Sequence, residues 1–371
     1  METARSRSDR AVKELAPIGP IVVTGAAGFI GFHVALRLLR LGVEVIGVDN
    51  FTPYYDPRLK EARFARLCAE PGFTPMRIDL ADAARVQLLF SEFRPSHFVH
   101  LAAQAGVRHS LVDPHAYLQS NIVAFLNVLE GCRHFGVSHL VYASSSSVYG
   151  SNRTIPFSEH HGADHPVSLY AATKRSNEFM AHSYSHLFGL PVTGLRFFTV
   201  YGPWGRPDMA VYMFTRAIIE GKPIEVANAG SVWRDFTYID DVAEGVVRAL
   251  AAPPRPDPGW DFLTADPATS SAPYRVYNVG NDRPEEINRL ISLIETALSC
   301  RAIRVEVPLP PGDVLETRAD VSDLRNAVGF APATTLEDGV QRFVEWYRDF
   351  HGTNIAASTQ QQTLMHVEAT V

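Results

Sequence analysis

Short apolar runs alternate with helical stretches through residue 196, and this alternation constrains the fold more than any other feature. The predicted strands are residues 21–24, 43–48, 74–78, 97–101, 139–143 and 192–196, and the predicted helices are 29–41, 83–93, 116–134 and 169–187. Strands that are separated by helices form crossover units, which place the strands parallel in one sheet. Near-continuous apolar strands indicate that both faces of the sheet are covered. The sequence therefore predicts an α/β fold built on a buried parallel sheet.

Beyond residue 197 the pattern becomes less regular. Residues 202–207 are rich in Gly and Pro, and residues 253–273 have the Pro, Asp, Ser and Thr content that is typical of a long surface loop. Further helices are predicted at 213–220, 241–250, 284–298 and 336–350. Residues 1–17 and 352–371 are polar, and we expect them to be flexible extensions.

The composition argues against several classes of protein. The chain has 371 residues, of which 34 are basic and 40 acidic, so its net charge is −6. A nucleic-acid-binding protein usually carries a basic face, and we expect no nucleic-acid polymer as a partner. The three cysteines are widely spaced and the 14 histidines lack metal-ligand spacing, so no disulfide framework and no metal site is expected. The uncharged residues 15–36 resemble a signal peptide, but prolines and glycines interrupt them. We therefore expect a cytoplasmic protein without a membrane segment.

A glycine-rich turn follows the first predicted strand and opens the first helix. Residues 25–31 read GAAGFIG, in which Phe29 and Ile30 lie between the last two glycines. Gly25, Gly28 and Gly31 allow a tight turn and the close approach of a diphosphate to free N–H groups at the helix N terminus. The spacing differs from the usual GxGxxG of dinucleotide sites, and the alternative is a turn without a ligand.

Residues at the ends of other strands are further candidates for the same cofactor. Asp49 ends the second strand, where a carboxylate can bind the adenosine ribose hydroxyls and repel a 2′-phosphate, which favours NAD over NADP. Asp79 ends the third strand and is a weaker candidate, and turn formation is the alternative for both acids. Small residues after the fourth strand allow a cofactor to lie close, or simply pack. The additional candidate cofactor contacts are Asn50, Leu80, Leu101, Ala102 and Ala103.

Two more motifs carry proton-transfer chemistry. Tyr170 and Lys174 lie on one helical face because they are four residues apart in YAATK. An ammonium group close to a phenol favours the phenolate and so lowers the phenol's pKa, and the same charge can hold the nicotinamide ribose. The segment SSSSVYG (residues 144–150) follows a strand, where a serine hydroxyl can hold the reacting oxygen beside Tyr170. Each of these two motifs occurs by chance. The glycine-rich turn, the serine run and the Tyr–Lys pair in this order are much rarer together.

The sequence resembles the extended short-chain dehydrogenases/reductases, specifically the nucleotide-sugar epimerases and most closely the UDP-glucuronate 4-epimerases. The segments that carry the resemblance are LAAQAGVRHSLVDPHAYL (101–118), LVYASSSSVYGS (140–151), VSLYAATKR (167–175), RFFTVYGPWGRPDMA (196–210), RDFTYIDDV (234–242) and DPATSSAPYRVYNVGND (266–282). This resemblance, which spans residues 18–350, implies a Rossmann-type doubly wound parallel sheet with a smaller mixed α/β C-terminal substrate domain. Residues 18–196 with parts of 236–250 and 275–282 would form the NAD-binding domain, and residues 197–351 most of the UDP-sugar-binding domain.

The resemblance also implies a reaction, the inversion of carbon 4 of the sugar. Tyr170 would remove the proton of the 4-hydroxyl while the hydride passes to NAD, with Lys174 and Ser145 as the other catalytic residues. The transient 4-keto sugar would then turn and take the hydride back on its other face. Ser145, Ser146, Ser147 and Thr199 would hold the carboxylate, which is otherwise easily lost as carbon dioxide from a β-keto acid. Arg206 and Arg234 match diphosphate ligands, and Asp313 matches a ligand of the uridine ribose.

Three alternatives stay open. UDP-glucose 4-epimerases and UDP-glucuronate decarboxylases share the fold, and a non-catalytic NAD-binding scaffold would need no proton shuttle. Related dehydratases and decarboxylases carry acids where this chain has Ser146 and Ser147, so both rival chemistries lack a group that they need. Ala227 and Arg318 replace aromatic residues of the family, the first of which stacks on uracil. Helices 116–134 and 169–187 match those that pair into a four-helix bundle in relatives, so a homodimer is expected.

Overall fold

Within the described residues, seven parallel strands form the main sheet and five further strands lie in two smaller sheets. The structure is a computed structural model that describes residues 4–15, 19–309 and 314–352. The strands are β1 (Ile21–Thr24), β2 (Val45–Asp49), β3 (Phe73–Arg77), β4 (His97–His100), β5 (His139–Ser145), β6 (Val192–Phe197), β7 (Thr199–Tyr201), β8 (Pro223–Ala227), β9 (Trp233–Tyr238), β10 (Tyr274–Val279), β11 (Pro284–Glu286) and β12 (Ile303–Val307). The helices are α1 (Ala4–Lys13), α2 (Phe29–Arg40), α3 (Pro57–Cys68), α4 (Ala83–Phe93), α5 (Pro114–Tyr117), α6 (Ala124–Phe135), α7 (Leu169–Phe188), α8 (Ala210–Ile219), α9 (Ile239–Leu250), α10 (Ile287–Leu298), α11 (Ser322–Val328) and α12 (Leu336–His351).

The strand order of the main sheet is β3-β2-β1-β4-β5-β6-β10. The chain winds outward from β1 to β3 and then, from β4 onward, in the opposite direction, so the order reverses between β1 and β4. Alternate residues of β1 enter separate cores, with Ile21 and Val23 on one face and Val22 on the other. Both faces are therefore covered, and the predicted Rossmann-type sheet is confirmed. In such a sheet the ligand crevice lies outside the carboxyl ends of the strands at the reversal.

The smaller sheets belong to the second half of the chain. Strand β9 pairs parallel with β7 and antiparallel with β11, while β8 and β12 form a parallel pair. Helix α10 packs against α8 and α12 beside them. The predicted mixed α/β region is confirmed. Among the described residues no helix has the length and apolar character needed to cross a membrane.

The helix predicted at 116–134 is interrupted. It consists of α5, a π-helical turn (Leu118–Val123) and α6. In this turn the carbonyl of Asn121 accepts a hydrogen bond of 2.6 Å from Asn177 Nδ2, and Asn121 Oδ1 accepts one of 2.8 Å from the Gln104 amide. These contacts with other segments account for the widened turn, a feature that recurs at functional sites.

Three other elements differ from the sequence predictions. Residues 284–286 are a strand rather than the start of a helix, because they pair with Trp233–Asp235 of β9. Helix α3 was not predicted, although Asp56 caps it and Pro57 occupies its first turn, both of which are start signals. Residues 4–13 of the expected flexible N-terminal extension form α1, which is held by Arg248 through Ser8 and Asp9. Residues 1–3, 16–17 and 353–371 of the two expected extensions lie outside the described residues.

Candidate active site

The turn between β1 and α2 exists only because its three key positions are glycines. Gly25 has φ +69°, and a Cβ on Gly31 would lie 2.0 Å from the Gly25 carbonyl oxygen. A Cβ on Gly28 would lie 2.9 Å from the same oxygen. Gly28 also caps α2 without a side-chain hydrogen bond, so no side chain competes for the first amides of the helix, at Phe29 and Ile30. This cradle of bare backbone at a helix N terminus fits the diphosphate of NAD.

Two neighbouring strand ends hold this turn in place. Asp49 at the end of β2 accepts hydrogen bonds from the Ala27 amide at 3.0 Å and the Phe51 amide at 2.8 Å. Thr24 Oγ1 accepts from the amides of Leu101 at 3.2 Å and Ala102 at 3.1 Å. Asp49 therefore already supports the glycine turn, and its carboxylate keeps free lone pairs for the ribose hydroxyls that the sequence assigned to it.

The remaining candidate cofactor contacts lie around the same edge with different bonding. Asn50 is exposed, and its Oδ1 accepts from the Thr52 amide at 3.4 Å. Asp79 is exposed and caps the following turn through the Ala81 amide, which is the turn role considered as its alternative. Leu80 is buried and Ala103 half-buried. All of them follow strands of the main sheet.

The proton-transfer residues meet at the ends of β5 and α7. The Ser145 side chain lies close enough to the Tyr170 hydroxyl to favour its ionised form, and Ser145 Oγ accepts a hydrogen bond from the Ser147 amide at 3.2 Å. Lys174 is 3% exposed, and its Nζ donates to the Ala143 carbonyl at 3.0 Å. Lys174 is therefore bound to β5, one turn along α7 from Tyr170.

The pKa values of the pair differ from the sequence expectation. Burial raises the pKa of Tyr170, although the hydrogen bond from Ser145 and the charge of Arg206 oppose this rise. The expectation that Lys174 lowers the pKa of Tyr170 is wrong for this arrangement. Burial also lowers the pKa of Lys174 to about 8, so desolvation disfavours the charged form of both groups.

Glu178 was missed by the sequence analysis, although it extends the same helical stripe. Tyr170, Lys174 and Glu178 are spaced by four residues, so all three lie on one face of α7. Glu178 is fully buried and accepts from Ser144 Oγ at 2.6 Å and from Arg196 at 2.9 Å. Ser144, the first serine of the run, is therefore bound to this carboxylate, whereas Ser146 and Ser147 are half-buried in the turn that follows β5.

The residues that match substrate ligands of the family lie on different elements and differ in their bonding. Arg206 makes a bidentate ion pair with Asp208, at 3.0 and 2.5 Å, and its charge reaches Tyr170. Thr199 begins β7 and is half-buried. Arg234 Nη1 donates to the Trp233 carbonyl at 2.9 Å, on β9. Asp313 lies outside the described residues.

The two departures from the family pattern are also located. Ala227 ends β8 and is half-buried, and Arg318 donates through Nε to Asp282 at 2.8 Å. The carboxylate of Asp282 therefore holds Arg318. Among the described contacts, none shows Arg318 replacing the aromatic side chain that is missing at Ala227.

A Rossmann fold with a bare glycine cradle and a Ser–Tyr–Lys site defines a dinucleotide-dependent enzyme. Residues 21–280 match the NAD dependent epimerase/dehydratase family, and the chain belongs to this family. An uncharacterized 37.6 kDa protein of Escherichia coli O111:H- is 56% identical, with 89% of this chain and 98% of that protein covered. A probable UDP-glucuronate 4-epimerase of Rhizobium meliloti (strain 1021) is 47% identical, with 88% and 96% covered.

A solved structure is similar over the same span. The UDP-glucuronic acid 4-epimerase of Bacillus cereus, in complex with UDP-glucuronic acid and NAD, is 31% identical with a TM-score of 0.77. The alignment covers 89% of this chain and 99% of that one. The protein is therefore similar, in sequence and in fold, to proteins that are named as UDP-glucuronate 4-epimerases.

Proposed function

We propose that the protein is a UDP-glucuronate 4-epimerase that interconverts UDP-glucuronate and UDP-galacturonate with tightly bound NAD. The observation that carries this proposal is the placement of Ser145 next to the Tyr170 hydroxyl, with Lys174 bound to the same strand end, in a serine run that contains no acid. The similarity to proteins named for the same activity supports the choice of substrate.

The residues of the chain divide the proton chemistry among them. Tyr170 takes the proton of the sugar 4-hydroxyl, and Ser145 donates a hydrogen bond to the reacting oxygen while the carbonyl forms. Lys174, anchored on the Ala143 carbonyl, supplies positive charge on the same face of α7. Bound NAD supplies a hydride acceptor and donor at carbon 4.

The serine run suits a substrate that carries a carboxylate. A 4-keto hexuronate loses carbon dioxide when its carboxylate bond aligns with the carbonyl π-system. Hydroxyl donors of Ser146, Ser147 and Thr199 fix the carboxylate out of that alignment and stabilise its charge, which reduces the drive to expel it. Because Ser146 and Ser147 stand where relatives with other chemistry have acids, the site lacks a group for protonating a decarboxylated or dehydrated product.

The anionic end of the substrate is assigned to arginines. We propose that Arg206 and Arg234 bind the diphosphate, since a guanidinium fork matches phosphate oxygens, and that Asp313 binds the uridine ribose. Residues 18–196, together with β10 and α9, would then serve NAD, and most of residues 197–351 would serve the UDP-sugar.

We further propose a homodimer formed through α6 and α7. Large apolar side chains on these helices are exposed, among them Leu126, Phe179, Leu187 and Phe188. Pairing them with a second copy would remove this area from water. Light scattering coupled to size exclusion tests the dimer, and a monomer at micromolar concentration would refute it.

The three cysteines are free, which is consistent with a cytoplasmic location.

The activity is tested by incubating the purified protein with UDP-glucuronate, without added cofactor, and following the sugar by NMR. We expect UDP-galacturonate as the product. A pentose product would instead indicate a decarboxylase. Turnover of UDP-glucose without turnover of UDP-glucuronate would indicate the other epimerase, and turnover of neither would favour a non-catalytic NAD-binding protein.

A further inference from the structure

Three consecutive backbone carbonyls between β7 and α8 are bound by side chains from the glycine-turn half of the molecule. The Pro203 carbonyl lies 3.0 Å from His33 Nε2. The Trp204 carbonyl accepts from Arg63 Nε at 3.1 Å and Nη2 at 2.6 Å, and the Gly205 carbonyl accepts from Nη2 at 3.1 Å. These residues lead directly into Arg206.

The backbone at Trp204 needs this support. Its φ of +62° lies in the left-handed region, which a residue with a side chain keeps only when its surroundings impose it. Arg63 supplies two of the hydrogen bonds that hold the Trp204 carbonyl. The conformation that presents Arg206 to the site therefore depends on a guanidinium from α3.

The same guanidinium also holds the glycine turn. Arg63 Nη1 donates to the Ala27 carbonyl at 3.0 Å and to the Tyr55 hydroxyl at 2.7 Å. The amide of Ala27 donates to Asp49, so both the N–H and the carbonyl of Ala27 are hydrogen-bonded. Arg63 is completely buried, and its hydrogen bonds in the described part of the chain go to carbonyls and a phenol.

We propose that Arg63 is a positioning residue that couples cofactor binding to substrate binding. It joins the Ala27 carbonyl of the NAD cradle to the Trp204 and Gly205 carbonyls, next to the diphosphate ligand Arg206. A diphosphate that orders either segment therefore orders the other through one rigid side chain. Binding linkage is reciprocal, so UDP should raise the affinity for NAD. We expect this gain in affinity to be expressed as slower release of NAD. The inference rests on the proposed function for the identity of the two ligands.

The test measures the exchange of bound NAD for fluorescent etheno-NAD in the holoenzyme, with and without saturating UDP. In the unchanged protein we expect UDP to slow exchange at least about fivefold, the lower end of typical coupling between sites. In Arg63→Lys, which keeps the charge and loses the fork, we expect slowing of less than about twofold. The matched control is Arg66→Lys, one turn along α3 and exposed, which should behave as the unchanged protein.

Tyr55→Phe is a milder second variant in case Arg63→Lys does not fold. It removes one acceptor of Arg63 and leaves its carbonyl contacts, so UDP should slow exchange by an intermediate factor. The proposal is overturned if UDP has no effect on the unchanged protein. It is also overturned if Arg63→Lys weakens the binding of both NAD and UDP while UDP still slows NAD exchange by the same factor as in the unchanged protein. That result would describe a merely structural residue. None of these measurements requires turnover. A failure of this proposal is therefore distinguishable from a failure of the proposed epimerase activity, which the NMR assay tests.

Discussion

Replacing Glu178 with glutamine perturbs the polar core directly behind the proton-transfer site. The carboxylate binds Arg196, Arg175 and Ser144, and both Glu178 and Arg196 have side chains that are 0% exposed. The substitution keeps the size of the side chain and removes its charge. Arg175 keeps an ion pair with Asp164 at 3.0 Å, but Arg196 is left as a buried cation facing a neutral amide and the ring of Tyr149.

Two separate arguments give the same magnitude. Burial alone would raise the pKa of Glu178, but Arg196, followed by Arg175 and Ser144, more than offsets burial and holds it at about 2. The difference from the ordinary value of 4.5 corresponds to about 3 kcal/mol of stability. Removing one partner of a buried ion pair costs about 3–5 kcal/mol in other proteins. For a chain of 371 residues, this loss lowers Tm by roughly 4–6 °C.

The assay is thermal unfolding of the variant and the unchanged protein between pH 7 and pH 3. The folded-state pKa is depressed, so the contribution of Glu178 is complete above the unfolded value of 4.5 and is lost as the pH falls toward about 2. The difference in Tm should therefore be constant from pH 7 to about pH 5 and narrow below. Glu130→Gln is the matched control, because Glu130 also pairs with an arginine three residues away but is 38% exposed. A Glu178→Gln variant whose Tm at pH 7 matches that of this control would refute the reasoning.

Three further outcomes are expected. Tyr170→Phe should lower kcat by about 10²–10⁴-fold, the usual contribution of a general base, with NAD content unchanged; normal turnover would remove Tyr170 from its role. Because burial lowers the pKa of Lys174 to about 8, its ammonium form dominates below that pH and is lost above it, so kcat should fall above about pH 8. Lys174→Met should lack this falling limb of the pH profile. Gly31→Ala places a Cβ 2.0 Å from a carbonyl oxygen and should yield protein without NAD, whereas Gly162→Ala, with its nearest neighbour at 3.5 Å, should retain it.

The features that could be predicted from the sequence are those that local backbone geometry dictates. Gly25 is required by its positive φ, Gly28 and Gly31 are required by their closeness to the Gly25 carbonyl in the same turn, and the spacing of Tyr170 and Lys174 is set by one helix. Arg63 could not be predicted, because its partner Trp204 lies 141 residues away in the chain. The π-helical turn at Asn121 is likewise held by contacts with Gln104 and Asn177, which periodicity within one segment does not report.

The serine run shows why residue types alone did not separate structural from functional side chains. Neighbouring serines at the end of β5 contact different residues of one helix, α7. Ser144 reaches the buried carboxylate of Glu178, while Ser145 reaches the hydroxyl of Tyr170. Glu178 and Tyr170 lie two turns apart on one face of α7, so the two serines fasten the strand end to the helix at two points. The hydrogen bond that opposes the raised pKa of Tyr170 therefore depends on a structural contact one residue earlier in the chain.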